Sequence, residues 1–594
     1  MLLDNVHEGV LVELLAPYMD RPAWPGLTDP AARRRAVRWA KRMGVWDRLS
    51  KTLSVPETIP VITLSDYRKW EREGDHRPNS HAFEWRFKQV HDQALGLWLG
   101  HPKADLDYFQ DLLWAWCDTW TWVIAYHSYS RIDLRASELA RMLEEVLWLL
   151  GERIDPAVAE RVRAEVERRV LAMTWNWREQ DAWITSPYNW CLVCNANIII
   201  AALYHFRNHL ELAAYLHPVI WRLEYGLGSF ADDGGCVEGI SYWGYGFGHF
   251  VDAALALHHR TNGQLNLLDH DKVRRITRYP VATHVYGPTQ AAFGDAHTGW
   301  GVDGNVTLKI NQIAEAKDLY AVAAARGDGL LNIDGDWQTL CLYRGEKAGG
   351  AAGVTGDAYL PDLGQAKLVG GPRDNPSVLV VNAGDNGRPH NHNDIGSFVY
   401  FADGRLALTD PGGPIYDDKT FSAHRYENFF CRSLGHSVPV INGREQAPGS
   451  RFGGELKVQG PDGDGDKRVI VDMAGAYDDP TLKTLRRELV LHPDGGLALT
   501  DHYGFSRRPE AIEEAFVTFE PARATRGGRR VMIGQGARRT ALTAGQDGVF
   551  TVQKMTQESK QGPSQKLVTR IAFTPAALAA ELMLTFHMQQ EGRP

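Results

Sequence analysis

Cysteine is scarce in this chain: six in 594 residues, at positions 117, 191, 194, 236, 341 and 431. That density excludes a disulfide scaffold, and Cys191-Leu-Val-Cys194 has no second Cys-x-x-Cys with which to build a zinc site. The six read as mostly buried free thiols. No run of about 18 apolar residues occurs, so a membrane-spanning helix is not expected. The first residues, Met-Leu-Leu-Asp-Asn-Val-His-Glu, lack the basic stretch and apolar core of a secretion signal. The expectation is a cytoplasmic protein, or a periplasmic or secreted one whose leader was removed. Net positive charge is missing too: 65 Lys and Arg stand against 73 Asp and Glu, a balance of −8. This argues against a nucleic-acid binder that relies on a globally basic surface. An anionic ligand would need a local basic cleft, and the Arg-dense stretches 33–35 and 161–169 read first as solvated helix faces.

Aromatic residues are plentiful, with 19 Trp and 21 Tyr. Such rings fill cores, and they also stack on the C–H faces of sugars. The length exceeds what one core usually organises, so two large domains are expected. Up to about residue 325 apolar residues recur every three or four positions. Asp155-Pro156 reads as an N-cap and first helical residue, followed by Val158, Val162, Val166 and Val170 on one face. A second helix spans 137–150 and stops at Gly151, and Trp114, Trp116, Trp120 and Trp122 crowd a third. Beyond about 335 the period becomes two. Candidate strands are 340–343, 378–381, 398–401, 406–408, 469–471, 489–491 and 497–499, with tight turns at Asp403-Gly404 and Asp494-Gly495-Gly496. The fold class is therefore multidomain α and β, with an all-α domain over 1–330 and an antiparallel β-sandwich over 331–594. The Gly- and Asp-rich stretch 327–337 is the expected junction.

The most informative segment is Arg-Pro-His-Asn-His-Asn-Asp-Ile-Gly-Ser-Phe at 388–398. A hairpin after it would fold Asp410 back toward His392, and His436 could complete a His/Asp/His set. Two imidazoles and a carboxylate suit zinc, although histidines that merely hydrogen-bond loop backbone give the same spacing.

This segment resembles the His-Asn-His-x-Asp-x-Gly-Ser-Phe motif of the heparinase II/III-like polysaccharide lyases. The resemblance implies an N-terminal (α/α) toroid joined to the β-sandwich. It implies that His390 is the cleft histidine and that His392, Asp410 and His436 hold a structural zinc. Thr-Ser-Pro-Tyr-Asn-Trp at 185–190 is similar to the family segment whose Asn meets the substrate carboxylate, which makes Asn189 the match. Trp190 stands where alginate-acting relatives have a histidine. Glu238-Gly-Ile-Ser-Tyr-Trp-Gly-Tyr-Gly246 matches the stretch bearing the family's catalytic tyrosine, placing Tyr242 in that role with Tyr245 as fallback. Tyr426 resembles a β-domain tyrosine that reaches the cleft, with Tyr416 the less favoured match. Trp190, Tyr245, Glu238 and Arg425 join Tyr426 as substrate-binding candidates, Arg432 being a further cation nearby. Phe293-Gly-Asp295 and His297 resemble a family loop to which no role is assigned.

The implied chemistry is β-elimination on a uronic-acid-containing glycan, with a heparin- or heparan-type glycosaminoglycan favoured. Removing the C5 proton beside a carboxylate builds a dianionic enolate, which needs neutralising donors. Asn189 and His390 are those donors, and Tyr242 serves as base and then acid. A phenol titrates near ~10, so a cationic neighbourhood is expected to favour phenolate. The implied partner is an acidic poly- or oligosaccharide, with no nucleic acid, membrane or organic cofactor, and a homo-oligomer is compatible. Three alternatives stand beside this reading: an alginate or bacterial exopolysaccharide lyase, an inverting glycoside hydrolase using Asp232, Asp233 or Glu238, and a glycan-binding protein without turnover.

Overall fold

A ring of packed helices occupies the first part of the chain. The computed structural model describes residues 6–591 except 57, 300, 326–328, 346, 348–354, 418 and 537. Helix Leu134–Leu150 packs on Asn189–His205, which packs on Gly248–Arg260; Gly304–Ile313 follows, then Trp337–Leu342, which returns to Pro30–Arg42. Helix Arg77–Leu99, which touches both Pro30–Arg42 and Leu134–Leu150, closes the succession into the toroid. Local signals set its helices as expected: the Asp155 carboxylate accepts from the Ala157 amide at 2.8 Å ahead of Pro156–Val166. Helix Leu134–Leu150 ends at Gly151, whose φ is +51°. The tryptophan cluster divides differently. Trp114 and Trp116 lie on helix Leu106–Asp118, whereas Trp120 and Trp122 follow it in an irregular turn.

Residues 340–343, expected as a strand, instead form the end of helix Trp337–Leu342 and its C-cap Tyr343, which close the ring. The Asp336 side chain caps this helix by accepting from the Thr339 amide at 2.7 Å. All six helical residues are buried, so no alternation of faces marks the element. Glu145 accepts from Trp24 Nε1, Trp337 Nε1 and Gln338 Nε2 at 2.8, 3.1 and 2.6 Å, joining the segment ahead of helix Pro30–Arg42 and the last helix to the middle of the ring. The helical core thus continues past 331 to Tyr343. No helix among the described residues is long and apolar enough to cross a membrane.

The second part is a sandwich of antiparallel sheets. A nine-stranded sheet contains the long strands Leu482–Leu491, Leu497–Phe505 and Glu581–Glu591. It packs on a five-stranded sheet, which includes Gln365–Gly370, Ser377–Asn382, Phe398–Ala402 and Arg405–Leu408, and on a four-stranded one. Asp403 and Gly404 take φ of +55° and +74° between two of these strands. Both turn residues need the left-handed region in this tight hairpin, which is why Asp-Gly marks it.

Strand Ser377–Asn382 is buried on both faces, and this places the two domains. Leu379 and Val381 point into the sandwich core. Val378 and Val380, with Val399 and Phe401, pack on Val285, Ala291 and Phe293 from the end of the helical domain. Phe293 leads directly into Gly294 and Asp295, so this apolar contact carries Asp295 to the β-domain loops.

Arg487 fixes those loops from behind. Its Nη1 donates to the carbonyls of Gly396 and Ser437 at 3.0 and 2.6 Å, four residues beyond His392 and one beyond His436. Its charge is met by Asp501 and Glu514 at 2.6 and 3.2 Å, all of them buried. Removing one partner of such a group leaves buried charge unpaired. Arg487→Ala is expected to destabilise the β-domain by about 3–5 kcal/mol. All 19 tryptophans lie at or before Trp337. In urea, the far-ultraviolet transition of the sheets should move to lower denaturant than tryptophan fluorescence, and coincident, unshifted transitions would contradict this role.

Candidate active site

The site forms where three helical-domain segments meet the His-Asn-His loop. Asn189 opens helix Asn189–His205, and Glu238 serves as its anchor. The Asn189 backbone N–H donates to Glu238 Oε1 at 3.1 Å and its Nδ2 donates to Oε2 at 2.5 Å. A carboxylate at a helix N-terminus meets unpaired N–H groups and the positive end of the helix dipole. Burial pushes the Glu238 carboxyl up, partly offset by His390 and Asn189. Glu238 therefore orients the amide, and the second N–H of Asn189 stays available to a ligand.

Tyr242 ends a single helical turn that passes into a wider π-helical one, Trp243–Phe247, before Gly248–Arg260. Its ring stacks on that of His390, with centroids 4.0 Å apart and planes at 29°. Its hydroxyl lies 2.5 Å from the hydroxyl of Tyr416. Tyr245 does not share this position. The wide turn carries three residues through less rotation than an α-helix does, and Tyr245 donates to Glu138 at 3.1 Å. That side holds a cavity of about 860 Å³ lined by Arg135, Glu138, Tyr245, His249, Asp252 and Lys309, and Tyr242 does not line it.

Tyr416 is the β-domain tyrosine that reaches the cleft. Tyr426, favoured by the sequence, donates to Asn391 Oδ1 at 2.8 Å and props the His-Asn-His turn from the side. Arg425 is buried as well, so it is not a free substrate cation: its Nη2 donates to Asp295 Oδ1 at 2.8 Å. Arg432 is engaged by Glu445. Trp190 is half-buried, edge-on to His127 at 4.4 Å and stacked with Tyr129 at 6.1 Å. Tyr129, which sequence reasoning missed, is 68% exposed and lies beside Trp190.

Asp295 was singled out in the sequence without a role. It is fully enclosed, and its Oδ2 accepts from His390 Nδ1 at 2.8 Å and from the Tyr416 hydroxyl at 3.0 Å. Its Oδ1 accepts from His392 Nε2 at 3.0 Å and from Arg425. Burial alone would raise this carboxyl, but His390, His392 and Arg425 hold it well below the ordinary range. The surrounding backbone has room only for glycine. A Cβ on Gly413 would meet Asp295 Cα at 2.7 Å, and one on Gly294, at φ +63°, would meet the His390 carbonyl at 2.9 Å. Asp-Pro-Gly-Gly at 410–413 thus wraps the acid closely.

The expected cationic setting for a phenolate is not found. Burial pushes the Tyr242 phenol up; the Tyr416 hydrogen bond opposes this, and the Asp295 and Glu238 carboxylates add to it. Of the three acids named for hydrolysis, Glu238 is engaged by Asn189 within the site and the other two are occupied elsewhere. Asp233 accepts from the amides of Gly235, Asp362 and Leu363. Asp232 is exposed and pairs with Lys272.

His392, Asp410 and His436 come together in the interior, with candidate ligand atoms within 4.8 Å of one another. Each imidazole donates Nε2–H outward, His392 to Asp295 and His436 to the Phe430 carbonyl at 2.9 Å. His392 Nδ1 is buried with no partner. Burial lowers the His392 imidazole and keeps it neutral. Burial would lower His436 as well, but Asp410, 2.8 Å from its Nδ1, raises it to about 9. Two Nδ1 atoms and a carboxylate converging inward, with the opposite ring nitrogens anchored, fit a zinc ion. Asp295, His392 and Cys431 form a second such group. There the His392 nitrogen is already committed and Arg425 occupies the acid, so the first group fits better.

Residues 352–562 match the family model described as Heparinase II/III-like, C-terminal. Among solved structures, a heparan sulfate lyase HepC mutant from Pedobacter heparinus aligns over 99% of this chain and 89% of its own, at 14% identity and a TM-score of 0.62. Heparinase III aligns over 95% and 92% at 13% identity and 0.62. A chondroitin AC lyase from Streptomyces coelicolor A3, in complex with chondroitin sulphate, aligns over 99% and 83% at 11% identity and 0.54. No curated protein matches the sequence. Most of the β-domain thus matches the heparinase II/III-like C-terminal model, and the chain has the toroid-and-sandwich fold seen in these heparinase and chondroitin lyase structures.

Proposed function

We propose that this protein is a polysaccharide lyase that cleaves a uronic-acid-containing glycosaminoglycan, of the heparan type in preference to alginate, by β-elimination. The observation that carries the reading is the Tyr242 hydroxyl, stacked on His390 and 2.5 Å from Tyr416, beside an Asn189 amide fixed by Glu238. The named activities of the similar structures support the substrate class, and Trp190 after Asn189 favours glucuronate chains.

In this mechanism Asn189 and the His390 Nε2 edge meet the uronate carboxylate and stabilise the charge that develops as C5 loses its proton. Tyr242 takes that proton and returns one to the departing O4, and the bond between C4 and O4 breaks as a C4–C5 double bond forms. Tyr416 has one hydroxyl proton and two acceptors within reach, Asp295 and Tyr242. Donation to Tyr242 stabilises its phenolate when the base is needed. Zinc held by His392, Asp410 and His436 would tie the cleft loops together by charge and ligation, while Tyr242 carries the proton from C5 to O4.

Tyr242→Phe should lower kcat/KM by about 10²–10⁴-fold, read as the ultraviolet absorbance of unsaturated uronate released from heparan sulfate, chondroitin sulfate or alginate. Turnover undiminished by this change would refute the role. Because phenolate is the active form and the Tyr242 phenol is pushed up, kcat/KM should rise with pH into the alkaline range. Tyr416→Phe removes the bond that lowers it, so the rising limb should move to higher pH; a limb at the same pH would contradict the pairing. For the metal, His436→Ala should purify without the zinc retained by the parent chain, measured by elemental analysis, and equal zinc in both would exclude the site.

A further inference from the structure

The triad that fits zinc and the cluster that fits the substrate share one acid. Asp295 accepts four hydrogen bonds from side chains, two per oxygen: His392 Nε2 and Arg425 Nη2 on Oδ1, His390 Nδ1 and Tyr416 on Oδ2, at 2.8–3.0 Å. A carboxylate has about four lone-pair positions. All are used, so the carboxylate plane cannot turn to suit a change at one oxygen without disturbing donors on the other.

His392 decides whether this arrangement holds. A neutral imidazole carries one ring proton, on either Nδ1 or Nε2. With the proton on Nε2, it is donated to Asp295 Oδ1 at 3.0 Å, and Nδ1 presents a lone pair to Asp410 and His436. With the proton on Nδ1, two lone pairs face each other across that distance, and the carboxylate is driven off its position. An ion on Nδ1 forbids the second arrangement. We propose that Asp295 is a positioning residue through which filling of the His392–Asp410–His436 site fixes His390 and Tyr416 in the cleft, so that the metal site is coupled to the catalytic cluster as well as bracing its loops. The functional meaning rests on the lyase reading; the coupling is a property of the hydrogen bonds and is tested without substrate.

The test uses the full chain loaded with cobalt(II), whose visible bands report its ligands. Spectra are recorded for the parent, for Tyr416→Phe, for Asp295→Asn and for the double variant. Tyr416 touches no triad residue. Coupling requires that Tyr416→Phe shift the cobalt bands when Asp295 is present and leave them unmoved in the Asp295→Asn background. Bands indifferent to Tyr416→Phe in the parent, or a shift that survives in Asp295→Asn, overturn the proposal. Should Asp295→Asn fail to fold or load, the zinc dissociation constants of the parent and Tyr416→Phe, by chelator competition, decide: coupling requires a difference of about 5-fold or more, and equal constants overturn it. Kinetics add a check that a purely structural role would not meet, since the positioning role lowers kcat of Asp295→Asn more than it raises KM. Turnover of a uronate glycan by the parent is scored separately, so a failed lyase reading is distinguished from failed coupling.

Discussion

The buried carboxylate of Asp295 comes from the helical domain, and its four side-chain donors all come from the β-domain. An unpaired charge there would be strongly unfavourable, so the two halves of the protein fit only when His390, His392, Arg425 and Tyr416 are all in place. The apolar contact of Phe293 and Val285 with Val378, Val380 and Phe401 brings the acid to that position. Arg487, gripping Gly396 and Ser437 from the opposite side, holds the loops that supply the donors. Packing, ion pairing and site geometry are thus successive parts of one arrangement.

The consequence for chemistry is a site whose resting charge is acidic. Asp295 and Glu238 oppose ionisation of Tyr242, and Arg425, paired with Asp295, favours it more weakly than either acid opposes it. What favours the phenolate locally is the hydrogen bond from the Tyr416 hydroxyl, acting against the burial that disfavours it. Such an arrangement keeps Tyr242 protonated at rest, which is compatible with the proposed return of a proton to the leaving oxygen.

Much of this was legible in the sequence, for reasons that differ by residue. The helical ring showed itself through its period and through caps such as Asp155, and the hairpin through Asp403-Gly404, because these are local interactions within a few residues. Asn189, Tyr242 and His390 were found through motifs and come together in one cluster. Asp295 was visible only as an acid in a short motif, since its partners lie 95 to 130 residues away. Tyr416 was passed over for Tyr426 because the two lie ten positions apart in sequence, and no periodicity tells which ring turns toward the cleft. Helix Trp337–Leu342 read as a strand because burial on every side removes the polar face that would have marked it.

Elimination and hydrolysis differ by one molecule of water, and this separates them without regard to which glycan is preferred. A uronate-containing oligosaccharide of defined structure, digested to completion and weighed by mass spectrometry, provides the measurement. If Tyr242 removes the C5 proton, the product masses sum to the mass of the substrate, with the unsaturation on the new non-reducing end. A sum larger by one water would place a hydrolase in this cleft and contradict the elimination chemistry.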